Sequence, residues 1–113
     1  MVAKTHTVRA PLYGTRITFV LGFDTAAEYG LEPEPQWGAM VGVAYGRVFF
    51  VLGDMGMFDT DTLPHESVHA AWRVLDLAGV EVESGNHEAL AYLVGWINAR
   101  AVRFYSKHVP AEE

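Results

Sequence analysis

Residues 65–69 read His-Glu-Ser-Val-His, and their types and spacing are those of a metal site that activates water. Two histidines four residues apart lie about one turn apart on one face of a helix, so their ring nitrogens can converge on one ion. Glu66 projects about 100° around the helix from His65, where it can hold a water beside that ion. The spacing therefore predicts that His65 and His69 bind zinc and that Glu66 is the general base.

A zinc site of this kind needs a third protein ligand, and Glu88 is the best candidate. Residues 86–88 read Asn-His-Glu at the start of a second apolar segment, which can pack against the first helix. Glu81 and Glu83 are weaker alternatives, because the connector between the helices need not point them inward. His87 is either a fourth ligand or a group that orients a ligand. Glu88 could instead serve only as a carboxylate that the helix dipole favours.

The histidine motif lies on a predicted helix over residues 63–79. Pro64 suits the first turn, residues 60–62 offer N-caps, and Gly79 is a natural stop. An apolar stripe follows at helical spacing and consists of Val68, Ala71, Trp72, Leu75 and Ala78. The alternative is that both histidines are core residues with satisfied imidazoles, since an unpaired imidazole is costly to bury.

A second helix is predicted over residues 87–107. One stripe along it has small residues that would let the first helix approach closely, and it consists of Glu88, Tyr92, Gly95 and Ala99. The other buried side is supplied by Leu90, Leu93, Val94 and Ile97. We therefore expect the Glu88 end of the first stripe to lie near the histidine pair.

The residues before these helices predict a small antiparallel sheet of three or four strands. Residues 16–22 are rich in β-branched and aromatic side chains, and a short strand around residues 7–10 can join them. Residues 38–45 and 47–52 are apolar runs joined through Gly46, which is typical of a hairpin. The sequence thus predicts one α+β domain over residues 1–113, with the sheet packed on two helices.

Composition limits the classes of function. Apolar residues make up 50% of the 113 residues and charged residues 19%, which is typical of a globular domain. The net charge of −6 and the scattered basic residues argue against nucleic acid as a partner. The absence of cysteine excludes disulfides and thiolate zinc sites. Neither a signal sequence nor a membrane span is recognisable, so we expect a cytoplasmic protein without a membrane partner.

The segment 62–97 resembles known families. His65, Glu66 and His69, followed by eighteen residues and then Glu88, resemble the motif of the gluzincin (thermolysin-like) zinc metallopeptidases. The whole segment looks more closely like small phage and prophage HExxH proteins. The resemblance implies a minimal zincin-like domain that acts in the bacterial host cytoplasm, with zinc on His65, His69 and Glu88 and with Glu66 as general base. Tyr92 stands one turn after Glu88, where the peptidases carry an acid.

The leading hypothesis is a zinc-dependent metallopeptidase that acts on a peptide or protein substrate. Its oxyanion donor would be Tyr92, His87 or Arg73, and a strand of the 38–52 hairpin could bind an extended peptide. The alternatives are a zinc-stapled, non-catalytic protein that engages a host protein, and a fold without metal. An open site that Glu66 faces favours the enzyme, whereas a closed four-ligand site that includes His87 favours the staple.

Overall fold

Four strands and three α-helices form the part of the chain that the computed structural model describes, residues 2–34 and 36–110. In chain order the elements are β1 (Thr5–Arg9), β2 (Arg16–Leu21), α1 (Phe23–Ala27), β3 (Ala39–Ala44), β4 (Arg47–Leu52), α2 (Thr62–Leu77) and α3 (His87–Ser106). The predicted α+β class is confirmed. No helix within the described ranges is long and apolar enough to cross a membrane.

The strands form one mixed sheet in the order β1-β2-β4-β3. The β1–β2 and β3–β4 pairs are antiparallel, but the central β2–β4 pair is parallel, with Ile17 opposite Val48. The expectation of an entirely antiparallel sheet is therefore wrong at its centre. The physical reason is that α1 and β3 both lie between β2 and β4 in the chain, which gives β4 the length it needs to return in the same direction as β2.

The two long helices match their predicted ranges closely, whereas the start of α2 is capped differently from the expectation. Asp59, not a residue of 60–62, caps the helix: its carboxylate accepts the backbone N–H groups of Thr62 at 2.6 Å and Asp61 at 2.9 Å. These bonds lower the pKa of Asp59. The cap fixes the first turn of α2, which is the turn that leads into His65.

The sheet is covered on both faces. Alternate residues of the central strands, such as Phe19 and Phe50, face α2 and α3, while Val20, Phe49 and Val51 pack with α1 on the opposite face. A strand buried on both faces reads as a continuous apolar run, and residues 48–52 of β4 are such a run.

Helix α2 is rotated relative to the predicted stripe. Its buried apolar side chains are Leu63, Ala70, Ala71, Val74 and Leu75, while Val68 and Trp72 are 40% and 44% exposed. The expectation of a buried Val68–Trp72 stripe is therefore wrong on that side. Small residues at 70 and 71 let the helix approach the sheet and α3 closely, which the bulky Trp72 would prevent.

Helix α3 is fixed to the centre of the sheet by Tyr105, whose side chain is fully buried. Its hydroxyl donates to the carbonyl of Val20 at 2.8 Å and also lies 3.0 Å from the carbonyl of Phe50. Burial raises the pKa of Tyr105, so the hydroxyl stays protonated and able to donate. The contact joins α3 to both parallel strands and fixes the frame on which α2 is held.

Candidate functional site

Helix α2 and strand β3 form the two walls of a surface groove. Its central hollow, of about 390 Å³, falls in the range of small-molecule sites. From α2 the hollow is lined by the motif residues His65, Glu66 and His69, together with Arg73, and from the sheet side by Trp37, Ala39, Met40 and Val41. The structure thus brings three of the predicted site residues to one open groove.

The histidine pair is exposed, and its two rings lie close together. The ring centroids of His65 and His69 lie 5.0 Å apart, and the His65 side chain is 67% exposed. Two imidazoles on one tetrahedral zinc, with Zn–N bonds of about 2.1 Å, hold their centroids about 5 Å apart. The separation of the rings is therefore compatible with shared ligation of one ion, and the alternative of satisfied core histidines is wrong because both side chains are exposed.

Glu66 lies at the base of the groove between the two histidines. The residue is only 7% exposed, and its Oε2 lies 3.7 Å from Nε2 of His65. Burial raises the pKa of the Glu66 carboxyl, and the nearby His65 and His69 oppose that shift in part. Within the described part of the chain no hydrogen bond reaches this carboxylate. A raised pKa and a position facing a groove are properties of a group that exchanges protons with a ligand.

The wall opposite the histidines is a sheet edge, since β3 is the outermost strand beyond β4. The N–H of Gly53 donates to the carbonyl of Gly38 at 2.8 Å. This bond shows which residues of β3 direct their backbone groups toward β4. Because the pairing alternates along the strand, every second residue turns its N–H and C=O to the free edge, namely Ala39, Val41 and Val43. Two of these residues line the central hollow.

The structure does not bring Glu88 to the histidine pair. Ser67 of α2 lies beside Asn98 of α3, and Leu63 lies near Val102, so the two helices run in opposite directions. Glu88 lies ten residues before Asn98 in the sequence, which places it about 12 Å beyond His69 along the helix axes. Its side chain is also exposed. The expectation that the end of the contact seam places Glu88 near the histidines is therefore not met in this arrangement.

The predicted small-residue stripe of α3 faces solvent and does not contact α2. Tyr92 is 61% exposed, Ala99 is exposed, and a Cβ built on Gly95 would meet open space. Neither Tyr92 nor the exposed His87 is among the residues that line the groove. Glu81 and Glu83 are exposed as well. Within the described ranges no cluster of three or more histidine, aspartate or glutamate side chains is arranged to hold a metal ion.

In comparisons with known proteins, no family model, curated protein or solved structure matches this chain. The likeness to the gluzincins therefore rests on the spacing of His65, Glu66, His69 and Glu88. The structure adds an exposed histidine pair, a buried carboxylate and an open sheet edge. Arg73, which the sequence indicates only as one of three oxyanion candidates, lines the central hollow. Trp37 lines it too, and no sequence motif predicts this position.

Proposed function

We propose that the protein is a zinc-dependent hydrolase that cleaves an extended peptide, with Glu66 as its general base. The observation that carries this proposal is the position of Glu66, buried between two exposed histidines at the base of an open groove. A general base must reach the proton it removes and must have a pKa shifted toward the working pH. Glu66 meets the second requirement through burial, and the groove gives a bound water access to its carboxylate.

Glu66 is difficult to explain by stability alone. A buried carboxylate costs free energy unless hydrogen bonds or paired charges compensate for it. Among the described residues, the ionisable side chains that act on the Glu66 carboxyl are His65 and His69, and they offset the effect of burial only in part. A helix position between a groove and a core would be served better by an apolar side chain or a glutamine. The residue is therefore best accounted for by chemistry in the groove.

His65 and His69 would hold the zinc, since their spacing and exposure fit two of its positions. When bound, zinc supplies Lewis-acid polarisation of a carbonyl and makes a water more acidic. Glu88 as the third ligand stays a prediction, and it requires the first turn of α3 to approach the histidine pair. Glu66 accepts a proton from water and returns it to the departing amine.

The sheet edge supports a peptide as the substrate. An extended peptide that pairs with the free N–H and C=O groups of Ala39 and Val41 would lie along the groove, with its backbone facing His65 and Glu66. Strand addition recognises the backbone, so it holds a peptide of varied sequence in one register. We expect this activity in the cytoplasm, with no role for a membrane, and the net charge of −6 argues against nucleic acid as a partner.

A zinc-stapled protein without turnover is the second candidate. That hypothesis predicts a closed site in which His87 provides a fourth ligand. His87 is instead the exposed first residue of α3, about three turns before Asn98, which is the α3 residue that lies beside Ser67 of α2. The open groove at His65 and His69 favours the hydrolase.

The proposal is tested by Glu66→Gln, which keeps the shape of the side chain and removes the base. Zinc-loaded wild type and the variant are incubated with a broad peptide library, and the products are identified by mass spectrometry. We expect the variant to retain its zinc and its fold while cleavage falls by about 100-fold or more. The matched control is Glu28→Gln, at an exposed position after α1, which should cleave like wild type.

Two outcomes would contradict the proposal. If Glu66→Gln cleaves as fast as wild type, Glu66 is not the base. If wild type shows no zinc-dependent cleavage of the library or of a host lysate, the protein is not a hydrolase of peptides, and the non-catalytic binding role replaces this proposal.

A further inference from the structure

The groove continues along β3 beyond the histidines in both directions. Toward the start of α2 a second hollow shares His65 and Glu66 with the central one and is bounded by Gly38 and Asp61. Toward the end of α2 a third hollow shares Arg73 with the central one. The three adjoining hollows thus follow β3 and α2 in the same direction, and together they form a groove long enough for an extended chain.

Arg73 lies in the groove where the central and third hollows meet. Among the described residues, no other lysine or arginine lines any of the three hollows. Helix α2 contains no second lysine or arginine, and strand β3 contains none. Its guanidinium contacts Asp76 at 3.3 Å, but both side chains are about half exposed. An exposed pair of this kind is weak, and it leaves other guanidinium N–H groups available for a carboxylate.

The distance from Glu66 to Arg73 sets where along a peptide the guanidinium would act. Arg73 lies seven residues beyond Glu66 on the same helix, a rise of about 10.5 Å. An extended peptide advances about 3.3 Å per residue, and the long arginine side chain leans back toward the start of the helix. Arg73 therefore meets a substrate side chain two to three residues away from the bond at Glu66.

The direction of β3 sets which side of that bond is involved. The strand runs from Ala39, beside His65, to Val43, beside Arg73. Antiparallel pairing is the more stable mode of strand addition, so the bound peptide has its N-terminal part at the Arg73 end.

We propose that Arg73 makes the site selective for peptides that carry an acidic side chain two to three residues N-terminal to the cleaved bond. Arg73 pairs with that carboxylate through its free N–H groups, while the peptide backbone pairs with the edge of β3. This inference rests on the proposed function, which it deepens by naming the class of substrate. A charge-assisted hydrogen bond of this type corresponds to a preference of about 10-fold for glutamate over glutamine.

The test uses a set of short extended peptides in which one glutamate is moved along an otherwise neutral sequence, with glutamine and lysine versions of each. Cleavage by zinc-loaded wild type is measured by mass spectrometry, and binding to Glu66→Gln protein is measured by fluorescence anisotropy. The same measurements are made with Arg73→Gln and Arg73→Glu. Arg103→Gln, an exposed arginine on α3, is the matched control.

The inference predicts a preference of about 10-fold for glutamate at the stated positions in wild type and in Arg103→Gln. Arg73→Gln should lose this preference, and Arg73→Glu should replace it with a preference for lysine. A glutamate preference that survives in Arg73→Gln, or one that lies C-terminal to the cleaved bond, would overturn the inference.

The two readouts separate this inference from the proposed function. If peptides bind with an Arg73-dependent preference for glutamate but wild type cleaves none of them, Arg73 recognises an acidic side chain as inferred, whereas the hydrolase proposal fails. If wild type cleaves the peptides with no preference that depends on residue 73, the hydrolase proposal holds and the inference fails. If the peptides are neither bound nor cleaved, both are contradicted.

Discussion

Tyr105 and Glu66 are two buried polar side chains of the same domain with opposite surroundings. The Tyr105 hydroxyl lies in the core within hydrogen-bonding distance of the carbonyls of Val20 and Phe50. Glu66 lies at the base of the groove, and no hydrogen bond from the described part of the chain reaches it. The first arrangement stabilises the fold, whereas the second costs stability and leaves an acceptor free for a ligand.

The difference separates a region whose polar groups stabilise the fold from a region whose polar groups are left free to contact a ligand. The C-terminal half of α3 and the central strands share a core in which the buried Tyr105 hydroxyl is hydrogen-bonded. Substitutions in this core should lower the free energy of unfolding. The groove side of α2 exposes His65 and His69 and leaves the buried Glu66 carboxylate without a hydrogen-bond donor from the described residues. Residues on the groove side should therefore be replaceable without loss of fold.

The largest expected effect on stability is at Tyr105. Tyr105→Phe removes the hydroxyl that lies within hydrogen-bonding distance of the Val20 and Phe50 carbonyls. The free energy of unfolding should therefore fall by about 1–2 kcal/mol. Chemical denaturation measures the change. Tyr92→Phe is the matched control, because Tyr92 is 61% exposed and should lose almost nothing. An equal loss of unfolding free energy in the two variants would mean that the Tyr105 hydroxyl does not stabilise the core.

A smaller effect of opposite sign is expected at Glu66 in protein stripped of metal. Burial raises the pKa of Glu66 above the ordinary glutamate value of 4.5, so ionisation is harder in the folded state than in the unfolded state. Stability is therefore lost as the pH rises above 4.5 and through the folded pKa, and it is unaffected below that range. Glu66→Gln removes this cost and should melt at a modestly higher temperature at neutral pH.

The pH dependence provides the check on that prediction. Thermal melts in the presence of a chelator should show the advantage of Glu66→Gln at neutral pH and its disappearance in acid, while the exposed Glu28→Gln tracks wild type throughout. A variant that is less stable than wild type at neutral pH would mean that the Glu66 carboxylate supports the fold.

The local structure could be predicted from the sequence because its signals are local. Helical periodicity and end signals located α2 and α3, and the HExxH spacing located the exposed pair His65 and His69. The parallel pairing of β2 with β4 could not be read in the same way, since it depends on contacts between distant segments. The cap by Asp59 was missed because residues 60–62 also offered capping side chains.

The position of Glu88 shows the limit of the periodicity argument most clearly. Helix α3 is apolar nearly all round, so spacing identifies its stripes but does not say which one is buried. The buried stripe carries larger side chains, namely Leu93, Ile97, Phe104 and Tyr105, than the stripe of Tyr92, Gly95 and Ala99. Burying the larger apolar area is more favourable, and this rotation turns Glu88 to solvent.

The most direct test of the account is the metal content of untagged protein, measured for wild type, His69→Ala and His6→Ala after zinc loading and dialysis. His6 is exposed on β1, at the opposite edge of the sheet from the groove. The account predicts about one zinc per chain in wild type and in His6→Ala, and none in His69→Ala, because an exposed pair cannot hold the ion after losing one imidazole. Equal zinc content in wild type and His69→Ala would contradict a metal site on the groove side of α2.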